Sequence, residues 1–425
     1  MLQCKPVDLI LFMGQSNMAG RGIPSEQWPQ GIPNLTLDAG WEFRAISDPT
    51  KLYPIAEPFG VDENNPEGIN DVFSGGVKAK TGSMVTAFAN AYYEKTGVPI
   101  VGVSASKGGS RIDQWLPGAS DGFLRDALER YRRAVEFLQK NNFKIRHHYM
   151  LWCQGESDGD KGTTVEEYKE RFGIIWQEMK NAGIEKCFLI KTGKKNIPGQ
   201  EEDYEEIRRA QEELCDGGVG PEGEIVMVSR GLGEMLERGL MKDAFHYYQQ
   251  AYNEVGTEAG NNVGDYVNLS SLLIDTEHCV MRKFTLDDVN DLYEVLSNEE
   301  VMRYIEPPFD WEQTKEFVQN AGLCEPPKVY ALEWKETGKV IGHVIFHLYE
   351  ENSYEIGWIL NRNYWGKGIA DEITKALVEY SKGTDAKSCV IECDAEQAGT
   401  KHIARKNGFT YMGENDGCDV YRLML

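Results

Sequence analysis

The chain lacks a Cys-x-x-Cys pair and a His-Glu-x-x-His motif, and its nine cysteines are scattered without close spacing. A structural zinc site, zincin chemistry and a disulfide framework are therefore not expected, and no metal is called for. Free thiols of this kind fit a reducing cytoplasm. Positive charge is in short supply: 45 Lys and Arg stand against 68 Asp and Glu, a formal net charge of -23. Nucleic acid and anionic membranes need a basic face, so neither is expected as a partner. Long hydrophobic runs are absent too. The apolar run from Val7 to Met13 is far below membrane-spanning length and sits in no secretory pattern, so it reads as a buried strand. Internal repeats and low-complexity tracts are also missing. Histidine is scarce, seven in all, so every candidate base can be weighed in turn.

What the chain has is length. Its 425 residues exceed one ordinary core, and two domains are expected. A hydrophobic share of 41% and a charged share of 27% are those of a soluble globular protein. The first two-thirds alternate short apolar runs with helical patterns. Residues 8–13, 98–106, 147–155, 186–193 and 224–231 read as buried strands, each ending near Gly or Ser. Residues 84–97 and 123–140 carry apolar side chains at three- and four-residue spacing, and Leu124, Leu128, Tyr131, Val135 and Leu138 form one stripe. This alternation predicts a parallel sheet covered by helices on both faces, with ligands at the carboxyl ends of the strands.

Residues 20–82 differ: Pro, Gly, Asn and Asp are frequent and periodicity is weak. They read as a long insertion, either lining a cleft or decorating the surface. The pattern changes again near residues 260–277. A first domain is expected over 1–272 and a second over 279–425, where a strand leads into the Thr285-Leu286-Asp287-Asp288 helix start.

The chemistry-bearing stretch of the first domain is Val7–Gly22, "VDLILFMGQSNMAGRG", in which Ser16 follows a strand and sits between Gln15 and Asn17. Serine catalysis needs a base for the hydroxyl proton, a group that orients the base, and donors facing the oxyanion. His147, His148 and His246 are the histidines of this domain. The first two are neighbours on a strand and point to opposite faces. His246 lies three residues after Asp243, a spacing that brings carboxylate and imidazole to one side, with the other ring nitrogen free for Ser16. In "MLWCQGESDGD", Gln154 ends a strand and can donate its amide to an oxyanion. Further donors are the Ser16 amide and an amide at Gly108 or Gly109 in "SASKGGSRIDQW".

"GQSNMAG", "ASKGGSRIDQW", "LWCQGESD" and "DAFH" together, in this order, resemble the sialate O-acetylesterase and acetylxylan-esterase-like branch of the SGNH hydrolases, over residues 7–260. The resemblance implies a flavodoxin-like three-layer α/β/α domain that removes acetyl groups from sugar hydroxyls without a cofactor. It implies Ser16 as nucleophile, His246 as base and Asp243 as its orienter, with Gly108 and Gln154 joining the Ser16 amide in the oxyanion hole. Glu156 would support these groups from behind. Lys107 departs from the pattern, since a smaller or neutral residue is usual there.

In the second domain, "YEIGWILNRNYWGKGIADEITKALVEYSKG" runs from a strand through Trp365-Gly366-Lys367-Gly368-Ile369-Ala370 into a helix whose buried face is Ile369, Ile373, Leu377 and Tyr380. Such a loop offers free amides to an anion such as pyrophosphate. Antiparallel strands precede it, with a hairpin turn at Glu336–Lys339, and "SCVIECDAEQAGTKHIARKNGFTYMGE" follows. Together these resemble the GNAT N-acetyltransferases over residues 279–425. The resemblance implies an α+β domain with a mixed, mostly antiparallel sheet. It implies an acetyl-CoA pyrophosphate cradled by residues 365–370, with Gln397 and Thr400 in place of the usual Asn and Ser, and transfer to an amine acceptor. Glu355 is the candidate base.

The expectation is thus a cytoplasmic fusion of a carbohydrate O-acetylesterase with an acetyl-CoA-dependent acetyltransferase, acting on an O-acetylated carbohydrate and an amine. The alternative is a lipase- or thioesterase-type SGNH hydrolase with a non-catalytic CoA-binding or dimerisation module. Trp28, Trp41, Tyr53 and Phe59, interspersed in the polar insertion, favour sugar over a long acyl chain.

Overall fold

The structure is a computed structural model describing residues 5–73, 76–215, 224–350 and 352–425. It divides into two compact units, one ending at Asp265 and one beginning at Tyr266.

The first unit is built on a seven-stranded sheet. Its strands are β1 (Lys5–Gly14), β2 (Gly40–Phe43), β3 (Leu52–Pro54), β4 (Ile100–Ser106), β5 (Phe143–Cys153), β6 (Lys186–Ile190) and β7 (Ile225–Ser229), in the order β3-β2-β4-β1-β5-β6-β7. All neighbours run parallel except β3, which returns antiparallel to β2. Strand β1 is buried on both faces, which is why its sequence is a continuous apolar run rather than an alternation. On one face Leu9, Leu11 and Met13 enter a core shared with helices α3 (Phe123–Lys140) and α5 (Val165–Ala182). On the other, Phe12 meets Phe88 of α2 (Val85–Thr96) edge to face at 5.6 Å. Helix α7 (Gln249–Ser270) closes against α2 where Gly256 and Gly260 leave no room: a Cβ there would lie 2.4 Å from the Met84 carbonyl and 2.5 Å from that of Phe88.

Register decides what the sheet can present. Gly14 pairs with Ser106 of β4 on one side and with Cys153 of β5 on the other. The carboxyl ends of three adjacent strands therefore finish level, at the point where the chain order reverses about β1. Gly14 holds a φ of +135°, and a Cβ on it would lie 2.0 Å from the Cys153 carbonyl oxygen, so only glycine fits between the two strands.

The insertion is not all loop, since it supplies β2 and β3 to the sheet edge. Its inner stretch is clamped by Arg130 of α3, which is fully buried. Arg130 donates to the Ser104, Glu63 and Ile69 carbonyls and to Asp126, using every face of its guanidinium.

The second unit holds an eight-stranded sheet: β8 (Ile274–Asp275), β9 (Cys279–Arg282), β10 (Val329–Trp334), β11 (Lys339–Glu350), β12 (Ser353–Leu360), β13 (Ser388–Asp394), β14 (Thr410–Asn415) and β15 (Cys418–Met424). The order is β14-β15-β13-β12-β11-β10-β9-β8. Only β12 and β13 run parallel, and they pair over Ser353–Glu355 and Ser388–Val390 before parting. The helices of this unit are α8 (Val289–Leu296), α9 (Glu299–Met302), α10 (Trp311–Phe317), α11 (Ile369–Lys382) and α12 (Ala398–Lys406). One sheet face packs on α11 through Ile369, Ile373 and Leu377. The other packs on α8 through Leu292, Val295 and Leu296. Among the described residues no helix is long and apolar enough to cross a membrane.

Candidate active site

Ser16 opens the single turn α1 (Ser16–Ala19) directly after β1. The turn is tied down by its backbone: the Gln15 amide donates to the Cys153 carbonyl at 2.9 Å, and the Gln15 carbonyl accepts from Met18 at 3.1 Å and Ala19 at 2.8 Å. Ser16 Oγ lies 3.0 Å from His246 Nε2, and His246 Nδ1 lies 3.0 Å from both carboxylate oxygens of Asp243. The Asp243 carboxylate also accepts the amides of Phe245, at 2.9 Å, and His246, at 2.8 Å. The three residues the sequence singled out are thus in one hydrogen-bonded row.

Burial lowers the pKa of His246 against the raising pull of Asp243, and Arg21 and Lys242 lower it further. Burial pushes Asp243 up, but the Phe245 and His246 amides and the imidazole outweigh it and hold the carboxyl below its ordinary value. The result is a neutral imidazole next to an ionised carboxylate, the protonation states a serine-activating base requires.

Asn17 ties the serine turn to the histidine loop. Fully buried, it donates to the Phe245 carbonyl at 3.1 Å and to a Glu156 carboxylate oxygen, and accepts from Tyr252 at 2.6 Å. Glu156 opens α4 (Glu156–Lys161). Burial pushes its carboxyl up to about 6, and among the described residues its second oxygen has no hydrogen-bond partner.

A pocket of about 320 Å³ opens over Ser16 and His246. Its walls include Gly108, Lys107, Arg21, Asp71, Phe73 and Phe245. The insertion therefore lines the cleft, through Arg21, Asp71, Val72 and Phe73. The aromatics whose mix with polar groups favours sugar do not: Phe59 is buried against Phe12, Trp41 packs near Phe143, Tyr53 lies under Arg44, and Trp28 donates to the Gly239 carbonyl. A larger groove of about 920 Å³ along α3 and α5 contains no histidine or serine, and Glu129 on its rim pairs with Arg132. His147 stacks on Tyr149 and His148 meets the Tyr131 hydroxyl at 2.7 Å, both away from Ser16.

Two of the expected oxyanion donors are otherwise engaged. The Gly108 amide donates to Asp71 Oδ1 at 3.1 Å, and Asp71 in turn is held by Arg21 at 2.7 Å. Gln154 is fully buried and does not reach the pocket. Its amide nitrogen donates to the Ser110 carbonyl at 3.0 Å and to Asp158, and its oxygen accepts from Tyr168 at 3.0 Å. Gln154 follows the last residue of β5, and the neighbouring Asp158 and Tyr168 satisfy its side chain below the surface.

In the second unit, the Trp365–Ala370 loop leads into the 14-residue α11. The Trp365 amide is taken by the Arg362 carbonyl at 3.3 Å. Among the described residues, the amides of Gly366 to Ala370 meet no protein acceptor, as expected where a helix begins. A Cβ at Gly366 or Gly368 would find nothing within 4 Å, so the loop faces open space. Lys367 projects over the Tyr364 ring at 4.6 Å. Gln397 closes the turn before α12, its side chain accepting the Asp394 amide at 3.2 Å, while Thr400 on the first turn makes no side-chain bond among the described residues. Glu355 pairs with His347 at 3.3 Å, and burial raises its carboxyl. Among the described residues no three metal-ligating side chains converge.

The profile of the sialic acid-specific acetylesterase family of carbohydrate esterases matches residues 6–263, the unit that carries Ser16, Asp243 and His246. The chain belongs to that family. Fused to its esterase is an acetyltransferase: the GNAT domain profile matches residues 278–410. An uncharacterized N-acetyltransferase, YnaD, of Bacillus subtilis (strain 168) is 32% identical over 143 residues, 33% of this chain and 84% of that protein. A solved GNAT-family acetyltransferase from Bacillus anthracis is similar at 28% identity, over 36% of this chain and 98% of the other, with a TM-score of 0.33. The microcin C7 self-immunity acetyltransferase MccE, solved with acetyl-CoA and AMP, is 18% identical over 35% of this chain and 93% of its own, with a TM-score of 0.31.

Proposed function

We propose that the esterase, over residues 1–272, removes acetyl groups from sugar hydroxyls by serine catalysis. The observation that carries this is the Asp243–His246–Ser16 row, each link 3.0 Å, open to a pocket whose walls include Arg21, Asp71 and Lys107. Ser16 Oγ attacks the acetyl carbonyl while His246 Nε2 takes its proton. Asp243 holds the ring by Nδ1 and stabilises the imidazolium. The Ser16 amide faces the oxygen that becomes negative. His246 then returns the proton to the departing sugar oxygen, leaving acetyl-Ser16, and a water activated by the same imidazole releases acetate. Glu156 supports the serine turn through Asn17. A pocket of only about 320 Å³, with Arg21, Asp71 and Lys107 in its walls, suits a short acyl group on a polar sugar better than a long acyl chain.

The acetyltransferase, over residues 279–425, takes acetyl-CoA as donor and an amine as acceptor in the same proposal. The free amides of Gly366, Lys367, Gly368, Ile369 and Ala370 fit a pyrophosphate, and the parting of β12 from β13 leaves room alongside. Trp365 contributes its ring rather than its amide. Thr400, with its hydroxyl free, and Gln397 lie at the start of α12. Bound acetyl-CoA supplies an activated acetyl thioester. In this proposal Glu355, its carboxyl raised by burial and paired with His347, accepts the ammonium proton. The free cysteines support a reducing, cytoplasmic setting.

Acetate release from a panel of O-acetylated sugars, comparing wild type with Ser16→Ala and His246→Ala, tests the esterase half. Loss in both folded variants is expected. Retained activity in either would remove the row from the mechanism.

A further inference from the structure

An oxyanion needs more than one donor, and the structure commits two of the three expected ones elsewhere. Gly108 gives its hydrogen to Asp71, and Gln154 is sealed beneath the pocket. Of these three the Ser16 amide is left, and Gly109, the other amide the sequence offers, also lines the pocket. Gln15 is the side chain that stands in the gap. It is 2% exposed, precedes the serine and lines the same pocket as Ser16 and His246.

The orientation of the Gln15 carboxamide is fixed from below. Its Oε1 is the acceptor for three donors that follow β5: the Gly155 amide at 3.2 Å, the Ser157 amide at 3.4 Å and Gln154 Nε2 at 3.4 Å. The two backbone N–H groups, with Gln154 Nε2 sharing a hydrogen it also gives to Ser110 or Asp158, can converge only on an oxygen, so the amide cannot be turned over. Nε2 must face the other way. It makes no hydrogen bond among the described residues, and it is not one of the buried atoms left without a partner. The accessible remnant of this otherwise buried residue is thus a pair of unspent N–H donors on the pocket side.

We propose that Gln15 Nε2 donates the side-chain hydrogen bond to the developing oxyanion beside the Ser16 amide, and that Gln154 is the positioning residue that holds Gln15 in this orientation. Gln154 itself is locked by Asp158, Ser110 and Tyr168, so the donor is pre-aimed by a rigid buried network rather than by a flexible rotamer. The inference rests on Ser16 being the nucleophile.

The experiment is steady-state hydrolysis of p-nitrophenyl acetate by the full chain, with melting temperatures measured alongside. Gln15→Ala is expected to lower kcat by about 10²- to 10³-fold with KM little changed. Gln15→Glu keeps an Oε1 acceptor for the three donors but replaces Nε2 with a carboxylate oxygen, so it loses at least as much and carries the test should the alanine variant fail to fold. Gln154→Ala lowers kcat by misaiming Gln15, so the double variant falls no further than Gln15→Ala alone. A Gln15→Glu enzyme with kcat within fivefold of wild type would overturn the proposal. So would losses from Gln15 and Gln154 that multiply in the double variant, since Gln154 would then have its own contact. Full activity in Ser16→Ala would instead sink the nucleophile assignment on which both rest.

Discussion

The two units present their chemistry in opposite ways. The esterase builds its site from side chains that are hydrogen-bonded to one another before any substrate arrives. The Ser16–Asn17 turn, Glu156 and His246 come from three separate segments, yet one hydrogen-bond network joins Asn17 to Glu156 and to the Phe245 carbonyl. The acetyltransferase offers the reverse: backbone amides on an open loop, with almost no side chain committed and free space where a Cβ would be. The lesson is one of legibility as well as mechanism. Side-chain chemistry leaves residue types in the sequence, whereas an amide cradle leaves only glycines, which any turn uses.

The sharpest way to break this contrast is Asp243→Asn. With the base disoriented, acetate release should fall on the order of 10⁴-fold, while acetyl transfer from acetyl-CoA to an amine by the same protein stays at its wild-type rate. A parallel fall in transfer would show that the two units do not work separately. Next in size is Arg130→Met. It strands Asp126 in the interior and frees the insertion that bears Asp71, and the esterase unit should lose about 3–5 kcal/mol in denaturant unfolding. A change below 1 kcal/mol would mean the clamp is not needed. For the cradle, Gly368 holds a φ of +84°. A valine there meets no neighbour but strains the backbone by about 1–2 kcal/mol, which should weaken acetyl-CoA binding roughly tenfold by calorimetry and leave esterase kinetics untouched. Unchanged affinity would place the cofactor elsewhere.

The smallest effect concerns protons. Glu156 has a folded pKa of about 6, above the 4.5 of an ordinary glutamate. Its contribution to stability is therefore complete in acid, where both states hold the proton, and is lost as pH rises through 6. Glu156→Gln cannot suffer that loss. Melting curves from pH 4.5 to 7 should show the variant gaining on wild type as pH climbs, and a constant gap would reject the shift. His246 titrates the other way: with its pKa depressed, the acid limb of kcat/KM should lie below the usual imidazole range.

Much of the fold was visible in the chain because its period changes with its structure. Continuous apolar runs became the parallel strands, and the 3.6-residue stripes became α3 and α11. What escaped were elements without periodicity. Strands β2 and β3 are four and three residues long and lie in a stretch of Pro and Gly, so no alternation could betray them. Nothing in the sequence marks Arg130, and only the loop folding over it makes it the most buried arginine of the unit. In the site, Ser16, Asp243 and His246 were legible from residue type and spacing, whereas Asp71 carried no signal at all. Trp28, Trp41, Tyr53 and Phe59 of the insertion, whose mix with polar groups favours sugar, do not line the pocket.

The sequence by itself determined two units, their fold classes, a serine at a strand end and an aspartate three residues before a histidine. Those are local properties: periodicity, turn chemistry and short spacing act within a few residues of chain. Tertiary structure alone decided which amides are free. Whether Gly108 faces a substrate or Asp71, and whether Gln154 or Gln15 reaches the pocket, depends on contacts between residues 37 and 139 positions apart. Hydrogen-bond donors are satisfied by whatever the fold brings within 3 Å or so, and no spacing along the chain records that.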